Sequence, residues 1–235
     1  MNKTTTLITL IGLATVQLAT ASDITGTITL KGTPPPEKEI TQIKDDANCG
    51  KLHTETVKTR FFVVGGKGEL ADVFVTLKGI SGKSTGASAE PIVVDQKGCE
   101  YTPYVMACQT GQKIVVKNSD PVLHNIHATP TATGNTEENK AQMPGGADLN
   151  FTFRTAENFL RFKCDVHPWM FAYVNVVDHP YFAVSGKDGS FTIKNVPPGK
   201  YTLVAMHRKA APAGVEKEIE VTGDGAKADF TLEVK

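Results

Sequence analysis

The chain of 235 residues carries no excess of charge, because its 25 Lys and Arg residues are balanced by 25 Asp and Glu residues. A balanced chain without a basic block lacks the surface that nucleic acids and anionic membranes attract, so we expect neither as a partner. Aromatic residues are few, with 11 Phe, 5 Tyr and 1 Trp. Beyond the N-terminal segment no apolar run approaches the ~20 residues of a membrane span, so none is expected.

Long segments with helical periodicity are also missing, and 21 Gly and 13 Pro divide the chain into short pieces. Apolar and polar residues mostly alternate, for example over 24–30 and 72–77, and a further strand is predicted over 61–64. Alternation with frequent turn residues is typical of β-sandwiches and barrels, so we predict an all-β fold. Short helical pieces are predicted only over 36–46 and 136–142.

The first 21 residues resemble a targeting segment. Lys3 precedes an apolar run over 7–18, and Ala19-Thr20-Ala21 matches a signal-peptidase site. We therefore predict a signal peptide over 1–21 and a periplasmic or secreted mature protein, with a buried helix or a membrane anchor as the alternative. An oxidising compartment permits disulfides.

Four sulfur and nitrogen donors stand out. Cys164, His167 and Met170 lie within seven positions, and His124 precedes them by forty. One thiolate, two imidazoles and a thioether suit copper in a trigonal His₂Cys site with a weak axial Met. Such a ligand set lies between the preferences of Cu(II) and Cu(I), so little rearrangement accompanies electron transfer.

The spacing favours convergence of these donors. Predicted strands over 159–163 and 173–177 would flank the loop that carries Cys164, His167 and Met170. His124 follows a predicted strand over 113–117 and a turn, which places it at a neighbouring strand end. A Cys-x-x-His pair alone is a weak signal and also fits half of a zinc site.

Two separated motifs resemble the plastocyanin/azurin class of cupredoxins. Residues 111–120 followed by His124-Asn125 form the first motif, and the loop from Cys164 to Met170 after an aromatic strand forms the second. The resemblance covers about 90–178. Only two residues separate the second His from the Met, against four in the commoner loop of that family.

The resemblance implies a Greek-key β-barrel with one type 1 copper ion per chain. It also implies a backbone hydrogen bond from Asn125 to the sulfur of the cysteine ligand. The implied ligands are two imidazoles, one thiolate and one axial thioether: His124, His167, Cys164 and Met170.

Other candidates compete for these roles. His127 is a rival ligand, but on a strand it would face away from His124, and Met143 is a rival axial donor on a Gly/Pro-rich loop. His167, at the loop tip, is expected to be the most exposed ligand. Trp169 fits a core position and an apolar rim equally well. Met106 and Met206 are expected to be core residues. The remaining histidines are expected to lie on the surface or to have structural roles: His53, His179 and His207.

If Cys164 binds copper, three cysteines remain and at most one intrachain disulfide can form. We favour Cys49–Cys99, with Cys108 buried and free, and keep Cys99–Cys108 as the alternative.

The C-terminal part resembles a second family. Residues 185–193, a Pro-Pro-Gly turn and the strand that follows resemble the carboxypeptidase regulatory-like, or transthyretin-like, β-sandwich. We therefore predict a cupredoxin domain over 81–179, inserted into a smaller, discontinuous Ig/transthyretin-like β-sandwich formed by 22–80 and 180–235. Three consecutive pieces are the alternative.

The expected function is that of a type 1 copper protein that carries single electrons between redox protein partners. The alternative is copper storage, delivery or sensing by the same residues. An enzyme is not expected, because copper oxidases and nitrite reductases need further histidine clusters and the chain has six His residues.

Overall fold

The computed structural model of the chain describes residues 20–234. The predicted signal peptide lies almost wholly outside these residues and stays a prediction. Within them the fold contains seventeen strands, one five-residue α-helix and two short 3-10 turns, which confirms the all-β prediction. None of the described helices has the length and apolar character needed to cross a membrane.

Two sheets surround the predicted metal loop. One has the order β5-β11-β10-β7-β8 and the other the order β4-β3-β6-β9. The strands of this half of the fold are β3 (Ile92–Gln96), β4 (Tyr101–Thr102), β5 (Val105–Gln109), β6 (Ile114–Asn118), β7 (His124–Thr129), β8 (Glu138–Gln142), β9 (Leu149–Phe151), β10 (Glu157–Lys163) and β11 (Phe171–Val177).

The first two described strands share two sheets with the last six. One sheet has the order β13-β1-β16 with β17 also paired to β1, and the other has the order β12-β2-β14-β15. The elements are β1 (Ser22–Lys31), β2 (Phe74–Leu77), β12 (Phe182–Val184), β13 (Ser190–Val196), β14 (Gly199–His207), β15 (Ala211–Val221), β16 (Ala226–Lys227) and β17 (Phe230–Glu233).

The two largest apolar cores follow this pairing. One contains Val116, Phe162 and Cys164, and the other contains Ile28, Leu203 and Leu232. Burial of alternate side chains on each strand drives the formation of both cores. The pairing of the chain ends supports the proposed division into an inserted and a discontinuous domain, which stays a proposal.

The segment between β1 and β2 contains the short helix α1 (Thr41–Asp45) and a 3-10 turn (Cys49–Leu52). A disulfide joins Cys49 to Cys99, which confirms the favoured pairing. Cys108 is free and fully buried, as expected.

Two local predictions were wrong and a third was only partly confirmed. Residues 136–142 contain the edge strand β8 rather than a helix, because β7 provides hydrogen-bonding partners along their length. Residues 61–64 form no strand beyond an isolated bridge at Val64. The helix predicted over 36–46 is limited to α1, because Glu39 instead forms an antiparallel bridge with Lys58 and the amide of Ile40 donates to the carbonyl of Val57.

Candidate metal centre

The loop from Cys164 to Met170 joins two antiparallel strands. Lys163 at the end of β10 pairs with Phe171 at the start of β11, which brings the ends of the loop together. The amide of Cys164 donates to the carbonyl of Met170 at 3.1 Å, and the amide of Met170 donates to the carbonyl of His167 at 2.9 Å. Backbone hydrogen bonds thus hold Cys164 and His167 on one compact turn.

His124 reaches this turn from the neighbouring strand. β7 pairs with β10, with His127 opposite Lys163, so the start of β7 lies beside the loop. The Asn118 side chain donates to the carbonyl of Val122 at 2.9 Å and closes the turn that leads into β7. The predicted strand-end placement of His124 is therefore observed.

Three donor atoms converge. The Nδ1 atoms of His124 and His167 are 2.9 Å apart, and the Sγ atom of Cys164 is 3.8 Å from Nδ1 of His167. One donor atom from each residue lies within 4.8 Å of the other two. Nitrogen and sulfur bind a transition ion at about 2.0–2.3 Å, so donors of one ion lie roughly 4.5 Å apart or less. The donor set fits a single ion.

All four predicted ligands are buried. His124 is 0% exposed, Met170 1%, Cys164 2% and His167 6%. His167 is the most exposed of the four, as predicted, but it does not project into solvent. Met170 belongs to the same apolar core as Cys164 and lies on the same loop.

Asp120 orients His124. Its Oδ2 atom is 2.9 Å from Nε2 of His124, so the ring donates from Nε2 and presents the lone pair of Nδ1 to the site. The carboxylate also accepts hydrogen bonds from the amides of Gly98 and Cys99 at 2.6 and 2.7 Å. The charged carboxylate is thus held in place by three hydrogen bonds, from two backbone amides and one imidazole.

The protonation equilibria of the site are displaced. Burial opposes ionisation of Cys164, but hydrogen bonds from His124 and from backbone amides hold the pKa of the thiol below its ordinary value. Burial also opposes protonation of His124, yet Asp120 and Cys164 raise its pKa. Burial and the neighbouring His124 lower the pKa of His167. The lowered pKa values of Cys164 and His167 favour metal binding, whereas the raised pKa of His124 means that a metal must displace a proton from this ring at low pH.

Asn125 organises the start of the loop. Its Oδ1 atom accepts a hydrogen bond from the amide of Asp165 at 2.8 Å and from the thiol of Cys164 at 3.1 Å. The backbone amide that donates to the sulfur of Cys164 is that of His167, at 3.3 Å. The backbone of Asn125 is among the groups that lower the pKa of Cys164.

A short segment covers His167. We call residues 41–52 the cap; it contains α1 and the 3-10 turn and is attached through the disulfide. The Sγ atoms of Cys49 and Cys99 and one ring nitrogen of His167 lie within 4.8 Å of one another. Trp169 packs its ring 5.2 Å from that of His167 and donates from Nε1 to the carbonyl of Cys99 at 3.1 Å. Trp169 is thus a half-buried packing residue.

The rival donors lie elsewhere. His127 contacts Asp165 and Glu137, on the face of β7 opposite His124. Met143 is 62% exposed, whereas Met106 and Met206 are core residues. His53 contacts the carbonyl of Gly98, and the other two histidines are buried among structural contacts: His179 and His207.

Sequence reasoning missed the role of Asp120 and the proximity of the disulfide to the site. Asp120 ends the 111–120 motif, and its position four residues before His124 is the available signal. The position of the cap depends on a disulfide between cysteines that are 50 residues apart, and no local pattern encodes it.

No protein-family model matches the chain, and no curated protein matches it. Several solved structures are similar to part of it. The Cu-containing nitrite reductase (NirK) from Thermus scotoductus SA-01 is 18% identical, with 38% of this chain and 23% of that chain covered and a TM-score of 0.34. An oxidised amicyanin mutant is 22% identical, with 43% and 97% covered and a TM-score of 0.33. A purple cupredoxin from Nitrosopumilus maritimus is 18% identical, with 36% and 98% covered and a TM-score of 0.30.

Proposed function

We propose that the protein is a one-electron carrier that holds one copper ion between His124, Cys164 and His167, with Met170 as a weak fourth ligand. The observation that carries this proposal is the convergence of two imidazole nitrogens and one thiol within 4.8 Å in a buried site. Mixed thiolate and imidazole donors suit copper, and an axial thioether is typical of electron-transfer sites.

Copper in such a site supplies a reversible change of one electron between Cu(II) and Cu(I). The protein contributes a site whose donors are held by contacts that do not depend on the metal. Asp120 fixes the ring of His124, and backbone hydrogen bonds fix Cys164 and His167. A site held in this way changes little between oxidation states, which lowers the barrier to electron transfer.

Exposed apolar side chains beside the site support a role in brief contacts with redox proteins. Leu123 precedes His124, and Val166 precedes His167. Met143 follows Gln142, which pairs with His124 in the sheet. These three side chains are between 38% and 62% exposed. Exposed apolar patches of this kind suit protein contacts.

Loading the metal-free protein with Cu(II) tests the proposal. We expect strong visible absorption from thiolate-to-copper charge transfer, bleached by ascorbate, and a reversible wave in voltammetry. Cys164→Ser should abolish the colour, whereas Cys108→Ser, which removes the other free thiol, should retain it. A colourless loaded protein would contradict the assignment of Cys164.

Copper delivery is the alternative use of the same residues. It predicts ready loss of the metal to a Cu(I) chelator and no reversible wave. The burial of all four donors favours retention of the ion over release.

A further inference from the structure

A second set of donors adjoins the proposed copper site. The sulfurs of Cys49 and Cys99 and a ring nitrogen of His167 lie within 4.8 Å of one another. In the structure the two sulfurs are bonded to each other, so they are not thiolate ligands. If the S–S bond were broken, the two sulfurs and the imidazole would be close enough to bind one metal ion.

We propose that reduction of the Cys49–Cys99 disulfide creates a thiolate-rich site for Cu(I), with His167 as the third donor. A dithiol reductant supplies two electrons and two protons, the S–S bond breaks, and the reductant becomes a disulfide. Each of the two thiols releases its proton when it binds the ion. Two thiolates and an imidazole form a soft donor set, which selects Cu(I).

The cap provides the route to the buried disulfide. Of its twelve residues only Ile43 and Cys49 are buried. Its helix has five residues and no side-chain hydrogen bond at its N-terminus. A segment with so few apolar contacts opens at a lower free-energy cost than the whole fold, and opening exposes the sulfurs to a dithiol.

The inference rests on the proposed function in one respect, because both sites use His167. In the oxidised chain the only thiol close to His167 among the described residues is that of Cys164. In the reduced chain three thiols surround the same imidazole. The reduced chain should therefore hold Cu(I) more tightly than the oxidised chain. Copper retention would then depend on whether the surroundings are reducing enough to break the disulfide.

Competition with a chromogenic Cu(I) chelator tests the inference, with Cu(I) alone as the probe. The full chain is compared before and after treatment with dithiothreitol, which is removed anaerobically, and its thiols are counted after denaturation. We expect the reduced chain to bind Cu(I) about tenfold more tightly or better. Cys108→Ser, which changes a buried free thiol outside both donor sets, should show the same gain.

Two further variants separate the explanations. Cys49→Ser/Cys99→Ser opens the cap without supplying thiolates, so it should stay at the affinity of the oxidised chain. If it gains as much as the reduced chain, cap opening alone is responsible and the proposed ligands are wrong. In Cys164→Ser the proposed copper site is lost, but reduction should still raise the Cu(I) affinity. Equal affinity of the oxidised and reduced wild-type chains, or a disulfide that the dithiol leaves intact, would overturn the inference.

Discussion

The Oδ2 atom of Asp120 lies 2.9 Å from Nε2 of His124 and 2.7 Å from the amide nitrogen of Cys99. One carboxylate oxygen thus connects a proposed metal ligand to a disulfide cysteine. The oxygen accepts both hydrogen bonds, and its negative charge makes the imidazole of His124 a better donor to a metal.

Asp120→Asn should weaken copper binding while leaving the fold intact. The amide keeps the size of the side chain but removes the charge, and outer carboxylates of this kind typically contribute about 10–100-fold to metal affinity. Chelator competition measures the change. Asp188→Asn is the matched control, since Asp188 accepts hydrogen bonds only from Ser190 in its own turn. Equal copper affinities of the two variants would show that Asp120 acts structurally.

The strands on either side of the loop 164–170 could be predicted because the relevant information is local. Alternation on either side of Cys164 identifies two strands, and strands that flank a short loop bring its residues together. His124 was placed by the same reasoning, since β6 and its turn precede it. By contrast, the cap depends on Cys49 meeting Cys99, and the four cysteines left that pairing open.

Strand β8 shows where local preference failed. Residues Glu138 to Gln142 include good helix formers, yet Asn125 and Ala141 are paired partners in the sheet. The buried Gln142 side chain donates to the carbonyl of Val116 at 3.1 Å and anchors the strand end. Contacts with other strands thus outweighed helix propensity, as they often do for short segments.

Stability should decrease in weakly acidic solution because of His207. Burial, together with the charge of the neighbouring Arg208, lowers the pKa of this imidazole to about 4. Its Nδ1 atom accepts hydrogen bonds from the amides of Lys209 and Ala210, which requires the neutral ring. The unfolded chain binds the proton near its ordinary pKa. The free energy of unfolding should therefore fall by up to about 3 kcal/mol between about pH 6.5 and pH 4.

Urea unfolding of metal-free wild type and His207→Asn at several pH values measures this contribution. Asparagine offers an Oδ1 acceptor to the same amides but does not titrate. The variant should lose less stability than the wild type as the pH falls to 4. Parallel pH profiles of the two proteins would assign the acid sensitivity to other groups.

Asp72 should have the opposite effect. Burial raises the pKa of its carboxyl to about 6, although Arg60 and Lys187 act against this rise. In the unfolded chain the carboxyl ionises near its ordinary pKa, so wild-type stability falls as the pH rises from about 4 to 6. Asp72→Asn removes this cost, and asparagine tolerates the positive φ of 61° at this position.

We expect Asp72→Asn to unfold at a higher urea concentration than wild type at pH 7.5, by about 1–3 kcal/mol in free energy, and to match it at pH 4. A variant that is less stable than wild type at pH 7.5 would show that the charge pairs favourably with Arg60 in the folded protein.

Trp169 should report copper binding directly. It is the only tryptophan in the sequence, and its ring lies 5.2 Å from that of His167. A Cu(II) ion close to the indole quenches its fluorescence, because the unfilled d shell accepts excitation energy or an electron from the excited ring. Titration of the metal-free protein should therefore quench the emission, with an end point at about one equivalent per chain.

Two histidine variants make this titration specific. His167→Gln removes a proposed ligand next to the indole, so quenching should need a much higher Cu(II) concentration. His127→Gln removes the imidazole that faces away from the site, and its titration should match that of wild type. If the His127 variant is impaired and the His167 variant is not, the bound ion lies on the opposite face of β7. That result would move the copper site away from Cys164.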